Sequence, residues 1–265
     1  MLRRRRKGPK EERGLPAMAP AQPGSRRRPR PGAQVPSELI VRERPALAER
    51  KPKPEPAAAK PRKGTTVLVT GFDAFCGESV NPSWQVCEAL PKEIAGLRVH
   101  TCRIPCEFDR AIEVATKAIE LHKPALVICL GQAGGRAHLS VERVAINIDD
   151  ARVEDNARKQ PVDEPIERDG PPAYFATLPI KAMVEGMRAA GVPAEVSNSA
   201  GTYVCNHLLY GVLHFLRDRD GVRAGFIHVP YSEEQVLDKP AIPAMAVSSM
   251  VKGIEAAIVA AHRHG

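Results

Sequence analysis

The sequence predicts an α/β protein, a three-layer α/β/α sandwich whose central sheet is mixed and mostly parallel. Two observations support this prediction. Short runs of apolar, β-branched residues alternate along the chain with longer segments whose apolar residues recur at helical spacing. Glycine or proline separates most of these segments, and such alternation is typical of a sheet that is covered by helices on both faces.

Charge and proline content divide the chain into two parts. Residues 1–64 carry 19 Lys and Arg against 6 Asp and Glu, together with 12 of the 25 prolines and no aromatic residue. Such a segment buries too little apolar surface to offset the entropy cost of ordering it, so a disordered basic tail is predicted. Residues 65–265 carry a net charge of −5 and are predicted to form the folded domain.

The first half of this domain alternates strand and helix. Strands are predicted at 65–71, 98–103 and 125–130, and helices at 84–90 and 108–122. The run TTVLVTG is apolar, β-branched and ends in glycine, as a buried strand does. Ser83 is a plausible N-cap for the first helix. The second helix is expected to stop at Lys123 and Pro124.

The second half continues the pattern after a longer interruption. Strands are predicted at 140–148, 194–197 and 224–229, and helices at 178–190, 204–218 and 242–262. The segment 140–148 alternates apolar and polar residues, whereas 149–177 is polar without clear periodicity and is predicted to be a long loop. Gly191 is expected to end the helix that is predicted at 178–190.

Cys205 lies where a turn of small residues runs into an apolar helix. Free N–H groups make a helix N-terminus electropositive, and this favours a thiolate over a thiol. Cys205 is therefore a candidate nucleophile if a base and an orienting carboxylate can reach it. The alternative is that it is one of several small core residues on a helix.

Two histidines compete for the role of base. His228 stands near the end of a strand, between Ile227 and Val229, at the edge of the sheet where α/β folds present functional groups. His207 is two residues from Cys205, about 200° around the helix, so it points away from the thiol. His228 is therefore preferred. Glu142 is either a strand carboxylate paired with Arg143 or the group that orients the imidazole.

Other signals are weaker. The segment GQAGGR at 131–136 resembles a phosphate-binding loop but lacks the GxGxxG and P-loop patterns, although its glycines would let a ligand approach the backbone. The six cysteines show no metal-ligand spacing, and no run approaches the ~18 apolar residues of a membrane span. Without an export signal, reduced thiols and a cytoplasmic protein that does not bind membranes are expected.

Four segments together resemble the pyroglutamyl peptidase type I family, also called pyrrolidone-carboxylate peptidase. They are GFDAFCGESVNPSW at 71–84, GQAGGRAHLSVERVAIN at 131–147, SNSAGTYVCNHLLYG at 197–211 and GFIHVPYSEEQ at 225–235. The resemblance covers essentially all of 65–265 and none of 1–64. It implies a cysteine-type omega-peptidase that removes N-terminal pyroglutamate from peptides through a thioester, without a cofactor, in the cytosol and often as a homotetramer.

The resemblance also assigns residues. It implies a Cys, His and Glu triad at Cys205, His228 and Glu142, and for Glu142 it is the stronger argument. The residues expected to bind the pyroglutamyl ring are Phe72, Phe75, Asn81, Gln132 and Tyr203. The three aromatic rings would contact the lactam ring, and backbone groups near Gln132 would form hydrogen bonds with its polar edge. The Asn81 side chain would support the loop of the 71–84 segment.

The sequence departs from the family pattern at three positions. Family members usually have Phe where this chain has Tyr203, Pro where it has Ala74, and Gly where it has Cys76. The last change predicts a second thiol in the substrate loop. An oxidant-induced disulfide between Cys76 and Cys205 is one possible consequence, and simple packing of Cys76 beside the pocket is the other.

Two alternatives of other classes remain at this stage. Purine nucleoside phosphorylases share the predicted architecture, so the fold is phosphorylase-like as well as hydrolase-like. A phosphorylase would need a phosphate site to which Arg136 could contribute, but no second arginine is clearly placed beside it. The basic tail could bind nucleic acid through its arginine runs, although it has no aromatic residue to stack on bases.

Overall fold

The computed structural model describes residues 65–264, so the predicted tail at 1–64 lies outside the described residues. Strands and helices alternate over this range as predicted. The first half contains β1 (Thr66–Phe72), α1 (Pro82–Ala89), β2 (Glu93–Ile94), β3 (Leu97–Ile104), α2 (Arg110–His122) and β4 (Leu126–Gln132). The second half contains β5 (Leu139–Glu142), β6 (Val144–Ile146), β7 (Ala173–Phe175), α3 (Ile180–Ala189), β8 (Ala194–Ser197), α4 (Val204–Leu216), β9 (Arg223–Val229) and α5 (Val247–Arg263).

The central sheet has the strand order β2-β3-β1-β4-β9-β5-β8. The strands β3, β1, β4 and β9 run parallel to one another. The strand β5 is antiparallel to β9 and parallel to β8, and β2 is antiparallel to β3. The sheet is therefore mixed and mostly parallel, as predicted, and the carboxyl ends of β1, β4 and β9 meet at one edge.

Alternating side chains divide the core between the two faces of the sheet. Ile227 and Val229 pack with α1, α3 and α5 on one face. Ala224 and Phe226 pack with α2 and α4 on the other. Because neighbouring residues of a strand point to opposite faces, His228 lies on the same face as Phe226, towards α4. These two helical layers complete the predicted three-layer sandwich.

The predicted strand at 140–148 is two strands. The strand β5 belongs to the central sheet, whereas β6 leaves it and pairs with β7 inside the predicted loop. The physical cause is Asn206 of α4. Its side-chain amide accepts a hydrogen bond from Ile146 N at 3.0 Å and donates to the Ile146 and Ile148 carbonyls. This holds the second strand against the helix, an arrangement that the apolar alternation could not reveal.

Two helix starts also differ from the prediction. Asn81, rather than Ser83, caps α1, since its Oδ1 accepts from Ser83 N and Oγ at 3.0 and 2.7 Å. The final helix begins at Val247 instead of 242, because Met245 N donates to Tyr231 O and keeps the preceding residues extended. No helix between residues 65 and 264 is long and apolar enough to cross a membrane.

Candidate active site

Cys205 is the second residue of α4, at the carboxyl edge of the parallel strands. The first intrahelical bond here is made by His207 N to Tyr203 O at 3.1 Å. The N–H groups at the helix start therefore have no acceptor within the helix. Gly201 makes the tight turn before the helix possible, since its φ of +81° suits glycine. The predicted position of the cysteine at a helix N-terminus is confirmed.

Glu142 and His228 form a hydrogen-bonded pair near this thiol. The His228 Nδ1 lies 2.8 Å from Glu142 Oε1, and both side chains are buried. The strand β5 supplies Glu142 and β9 supplies His228, in an antiparallel pair where Ser140 lies opposite His228. A carboxylate only accepts hydrogen bonds, so the imidazole donates through Nδ1, and this bond fixes the orientation of the ring.

Gly131 brings the thiol close to this pair. It lies beside His228 in the parallel ladder between β4 and β9. A Cβ atom added at Gly131 would be 2.8 Å from Cys205 Sγ and 2.6 Å from the Phe226 ring. The glycine is thus required because the protein's own side chains occupy the space. The glycine-rich segment, which suggested room for a ligand, here makes room for the thiol.

A pocket of about 440 Å³ opens above these residues, a volume typical of small-molecule sites. Cys205 and His228 line it. So do all five residues expected to bind substrate, namely Phe72, Phe75, Asn81, Gln132 and Tyr203. The aromatic rings form one wall, where Phe75 and Tyr203 lie 6.0 Å apart, centroid to centroid. Glu142 does not line the pocket and lies behind His228.

Hydrogen bonds fix the two amide side chains of the pocket. The Asn81 Nδ2 donates to Asp73 O at 2.9 Å while its Oδ1 caps α1, so Asn81 holds the loop that carries Phe75. The Gln132 Oε1 accepts from Gln235 Nε2 at 3.0 Å. This bond fixes the orientation of the Gln132 amide and leaves its N–H groups free for another partner.

Among the cysteines, sequence reasoning missed one pocket residue and misplaced another. Cys106 lines the pocket and is buried, whereas Cys76 is exposed and is not among the lining residues. The second thiol of the pocket is therefore that of Cys106, and the disulfide between Cys76 and Cys205 stays a prediction. Arg136 also lines the pocket, where the sequence had offered it only as a candidate for a phosphate site.

Arg136, rather than Arg143, is the cationic partner of Glu142. Its Nη1 lies 3.1 Å from Glu142 Oε1, the same oxygen that His228 contacts. Arg143 instead donates through Nε to Asn198 Oδ1 at 2.7 Å. The Arg136 guanidinium, which the sequence offered for a phosphate site, thus forms an ion pair with Glu142.

The environment of Cys205 opposes a resting thiolate. Burial raises the pKa of the Cys205 thiol well above its usual value, and the negative charge of Glu142 raises it further. The positive charge of Arg136 lowers that pKa. The helix N-terminus had suggested a thiolate, whereas burial and the nearby carboxylate favour the thiol. A base must take its proton when it attacks.

His207 is turned away from the pocket, as the helical angle predicts. Its Nδ1 lies 2.7 Å from Asp149 Oδ2, and its Nε2 accepts from Asp109 N at 2.8 Å. With both ring nitrogens occupied and the side chain buried, His207 has a structural role. Among residues 65–264, no group of three or more His, Cys, Asp or Glu side chains is arranged to hold a metal ion.

Comparison with known proteins identifies the family. The model of the pyroglutamyl peptidase family matches residues 65–264. A pyrrolidone-carboxylate peptidase from Cupriavidus necator is 55% identical over 199 residues, which cover 74% of this chain and 92% of the relative. Pyrrolidone-carboxylate peptidase 1 from Caldanaerobacter subterraneus is 54% identical over 193 residues, which cover 72% and 95% of the two chains.

Solved structures agree with this assignment. Pyroglutamyl peptidase I from Bacillus amyloliquefaciens matches with a TM-score of 0.73 and 43% identity, covering 76% of this chain and 98% of that one. Pyrrolidone carboxyl peptidase from Thermococcus litoralis matches with a TM-score of 0.72 and 40% identity, covering 74% and 93%. With the described domain matched from end to end and a cysteine, a histidine and a carboxylate assembled at its pocket, the chain belongs to the pyroglutamyl peptidase family of cysteine peptidases.

Proposed function

We propose that Cys205, His228 and Glu142 carry out the reaction of this family, in which a cysteine peptidase removes an N-terminal pyroglutamyl residue from a peptide. One observation carries the assignment of roles. Cys205 and His228 line the same pocket from two elements, and Glu142 holds His228 from behind at 2.8 Å. This is the arrangement of nucleophile, base and orienting carboxylate that acyl transfer requires.

Acylation begins with the resting thiol. As sulfur forms a bond to the pyroglutamyl carbonyl carbon, the thiol proton moves to His228 Nε2. The carbonyl oxygen becomes negative and is stabilised by the free N–H groups at the start of α4. Collapse of this intermediate breaks the C–N bond of the peptide. His228 then protonates the leaving amine, and a pyroglutamyl thioester on Cys205 remains.

Hydrolysis of the thioester repeats the same transfers with water. His228 takes a proton from the water as its oxygen attacks the thioester carbon, and the thiolate leaves and regains that proton. Free pyroglutamate is released and the enzyme returns to its resting form. Throughout, Glu142 accepts a hydrogen bond from His228 Nδ1, which keeps Nε2 directed towards sulfur and stabilises the imidazolium as it forms.

The pocket suits a lactam ring. Phe72, Phe75 and Tyr203 provide apolar contact for its faces, and backbone groups near Gln132 pair with its polar edge. Proline has the same ring size without the lactam oxygen, so it would leave a buried donor without a partner. Such a loss discriminates more strongly than a change in apolar contact. Peptides that begin with proline should therefore be rejected.

The test is the release of a chromogenic amine from its pyroglutamyl derivative, with the prolyl derivative as the specificity control. We expect Cys205→Ala and Cys205→Ser to abolish hydrolysis while circular dichroism stays unchanged. Cys129→Ser is the matched control, because Cys129 is fully buried in β4 and its replacement should lower stability and leave chemistry largely intact. Substantial hydrolysis by folded Cys205→Ala would refute the mechanism.

Compartment and assembly are proposed on the family resemblance. We infer a cytoplasmic homotetramer, and light scattering of the purified protein together with cell fractionation tests both statements. The basic segment 1–64 is proposed to be separate from the catalytic domain, and nucleic acid binding, if any, should depend on it. Salt-sensitive binding that persists in a chain lacking 1–64 would contradict this division.

A further inference from the structure

Arg136 shares an oxygen of Glu142 with the catalytic histidine. The Arg136 Nη1 and the His228 Nδ1 lie 3.1 and 2.8 Å from the same Oε1. We propose that Arg136 is a positioning residue whose charge balances Glu142, so that this carboxylate can orient His228 without opposing negative charge on Cys205. The proposal rests on the function proposed above and adds a residue to it.

The need for such a residue follows from burial. The Glu142 side chain has no exposure, and its Oε2 is buried without a hydrogen-bond partner in the described part of the chain. A buried carboxylate is costly unless a cation or several donors compensate it. Within residues 65–264, the side chain beside Glu142 that always carries a positive charge is that of Arg136, whose Nη1 lies 3.1 Å from Oε1.

The same pair of charges acts on the nucleophile. The charge of Glu142 raises the pKa of Cys205, and that of Arg136 lowers it. The other titratable groups around the thiol are His228 of β9, Cys106 on the loop before α2, and Cys129 of β4. None of these three is a permanent cation. Arg136 therefore offsets the electrostatic disadvantage of placing a carboxylate close to a thiol that must lose its proton.

The loop between β4 and β5 brings Arg136 to this place. Gly135 has a φ of +84°, and Gly134 lies against the Tyr231 ring, where a Cβ would approach within 2.2 Å. The loop therefore turns tightly and directs Arg136 back to the pocket, where its side chain is 32% exposed. Partial exposure screens the charge, so the expected effect is moderate.

Arg143 provides a matched control. It follows Glu142 directly in the sequence, yet its guanidinium contacts Asn198 and not Glu142. Arg143→Gln removes the same charge from the same neighbourhood without touching the shared oxygen. Arg136→Lys keeps the charge of Arg136 but loses the planar guanidinium geometry.

The experiment measures the alkylation of Cys205 by iodoacetamide between pH 6 and 10, followed by mass spectrometry of the peptide that contains Cys205. For Arg136→Gln we expect alkylation at neutral pH to slow by about three- to tenfold and the profile to move to higher pH, since thiolate is the reacting form. Arg136→Lys should recover most of the rate, and Arg143→Gln should match the parent protein.

A double variant separates charge from packing. In Arg136→Gln with Glu142→Gln neither charge remains, so Cys205 should be alkylated faster than in Arg136→Gln alone. Equal rates in the parent protein and Arg136→Gln would overturn the proposal. So would a double variant as slow as the single one, because Arg136 would then act by packing. If Arg136→Gln does not fold, a loss of alkylation in folded Arg136→Lys as large as expected for Arg136→Gln would also overturn it.

Failure of this proposal differs visibly from failure of the proposed function. Persistent hydrolysis in Cys205→Ser would remove the nucleophile assignment whatever the alkylation profiles show. Loss of hydrolysis in Cys205→Ser with unchanged alkylation in Arg136→Gln would keep the nucleophile and remove only the role of Arg136.

Discussion

At the scale of single residues, His228 and His207 illustrate how surroundings decide the role of a side chain. One ring nitrogen of His228 contacts a carboxylate and the other is left free beside the pocket. Both nitrogens of His207 are occupied in the interior. A free, oriented imidazole nitrogen can exchange protons, whereas an imidazole with two fixed partners mainly holds the structure together.

Replacing the two histidines should therefore have different effects: loss of His228 should lower turnover, and loss of His207 should lower stability. We expect His228→Ala to reduce kcat by at least about a hundredfold with little change in unfolding temperature, because it removes the base. His207→Ala leaves buried Asp149 and the Asp109 amide unpaired, which should cost about 2 kcal/mol of stability while folded enzyme keeps most of its turnover. Equal losses of turnover in the two folded variants would contradict the assignment of the base.

The hydroxyl of Tyr203 is a second residue-scale feature. It donates to Glu154 O at 3.0 Å and so connects the pocket wall to the loop outside it, which Phe at this position could not do. We expect Tyr203→Phe to raise KM for the pyroglutamyl substrate two- to tenfold with kcat nearly unchanged, as one hydrogen bond would allow. Tyr203→Leu, which also removes the ring, should raise KM further. An unchanged KM in Tyr203→Phe would mean that the hydrogen bond from Tyr203 to Glu154 O does not contribute to substrate binding.

At the scale of elements, the site depends on how closely β4 approaches the start of α4. Gly131→Ala places a Cβ within 2.8 Å of Cys205 Sγ and 2.6 Å of the buried Phe226 ring. Because the Phe226 ring is fully buried whereas the thiol borders the pocket, the added Cβ displaces the thiol relative to His228, and we expect kcat/KM to fall about a hundredfold. Steady-state kinetics on the folded variant tests this.

Gly221→Ala is the matched control for that substitution. Gly221 has a φ of +82° and no atom within 4 Å of its added Cβ, and it lies in the turn before β9. The change should cost about 1 kcal/mol of stability through backbone strain and leave kcat/KM unchanged. Full activity in Gly131→Ala would show that the close approach is not needed.

Elements with strong local signals could be predicted from the sequence, and those decided by distant contacts could not. The apolar runs of β1, β4 and β9 and the periodic α2 and α4 gave nearly correct bounds, because burial and period are local properties. The break between β5 and β6 depends on Asn206, some 60 residues away. Likewise, the residue pattern together with the family resemblance predicted Cys205, His228 and Glu142, but the choice of Arg136 over Arg143 as ion-pair partner depends on how a loop folds back.

At the scale of the whole molecule, the family match and the described structure both begin at residue 65. We expect a chain that starts at Thr65 to hydrolyse the pyroglutamyl substrate with the same kcat and KM as the full-length protein. The reason is that the residues described as lining the pocket, and the hydrogen bond that holds Gln132, lie within the range 65–264. A shortened enzyme that is folded but inactive would show that 1–64 contributes to the site.

The position of β9 in the sheet has a consequence for the folding of the enzyme. This strand lies between β4 and β5, although a ribosome makes it after both. The sheet of a nascent chain thus stays in two parts until β9 enters the gap, and late, non-local pairing of this kind is slow. Because the same strand delivers His228, the histidine that we propose as the base reaches the site in the step that closes the sheet. Hydrolysis therefore reports the completion of folding rather than the amount of secondary structure, and the unfinished chain cannot act on peptides.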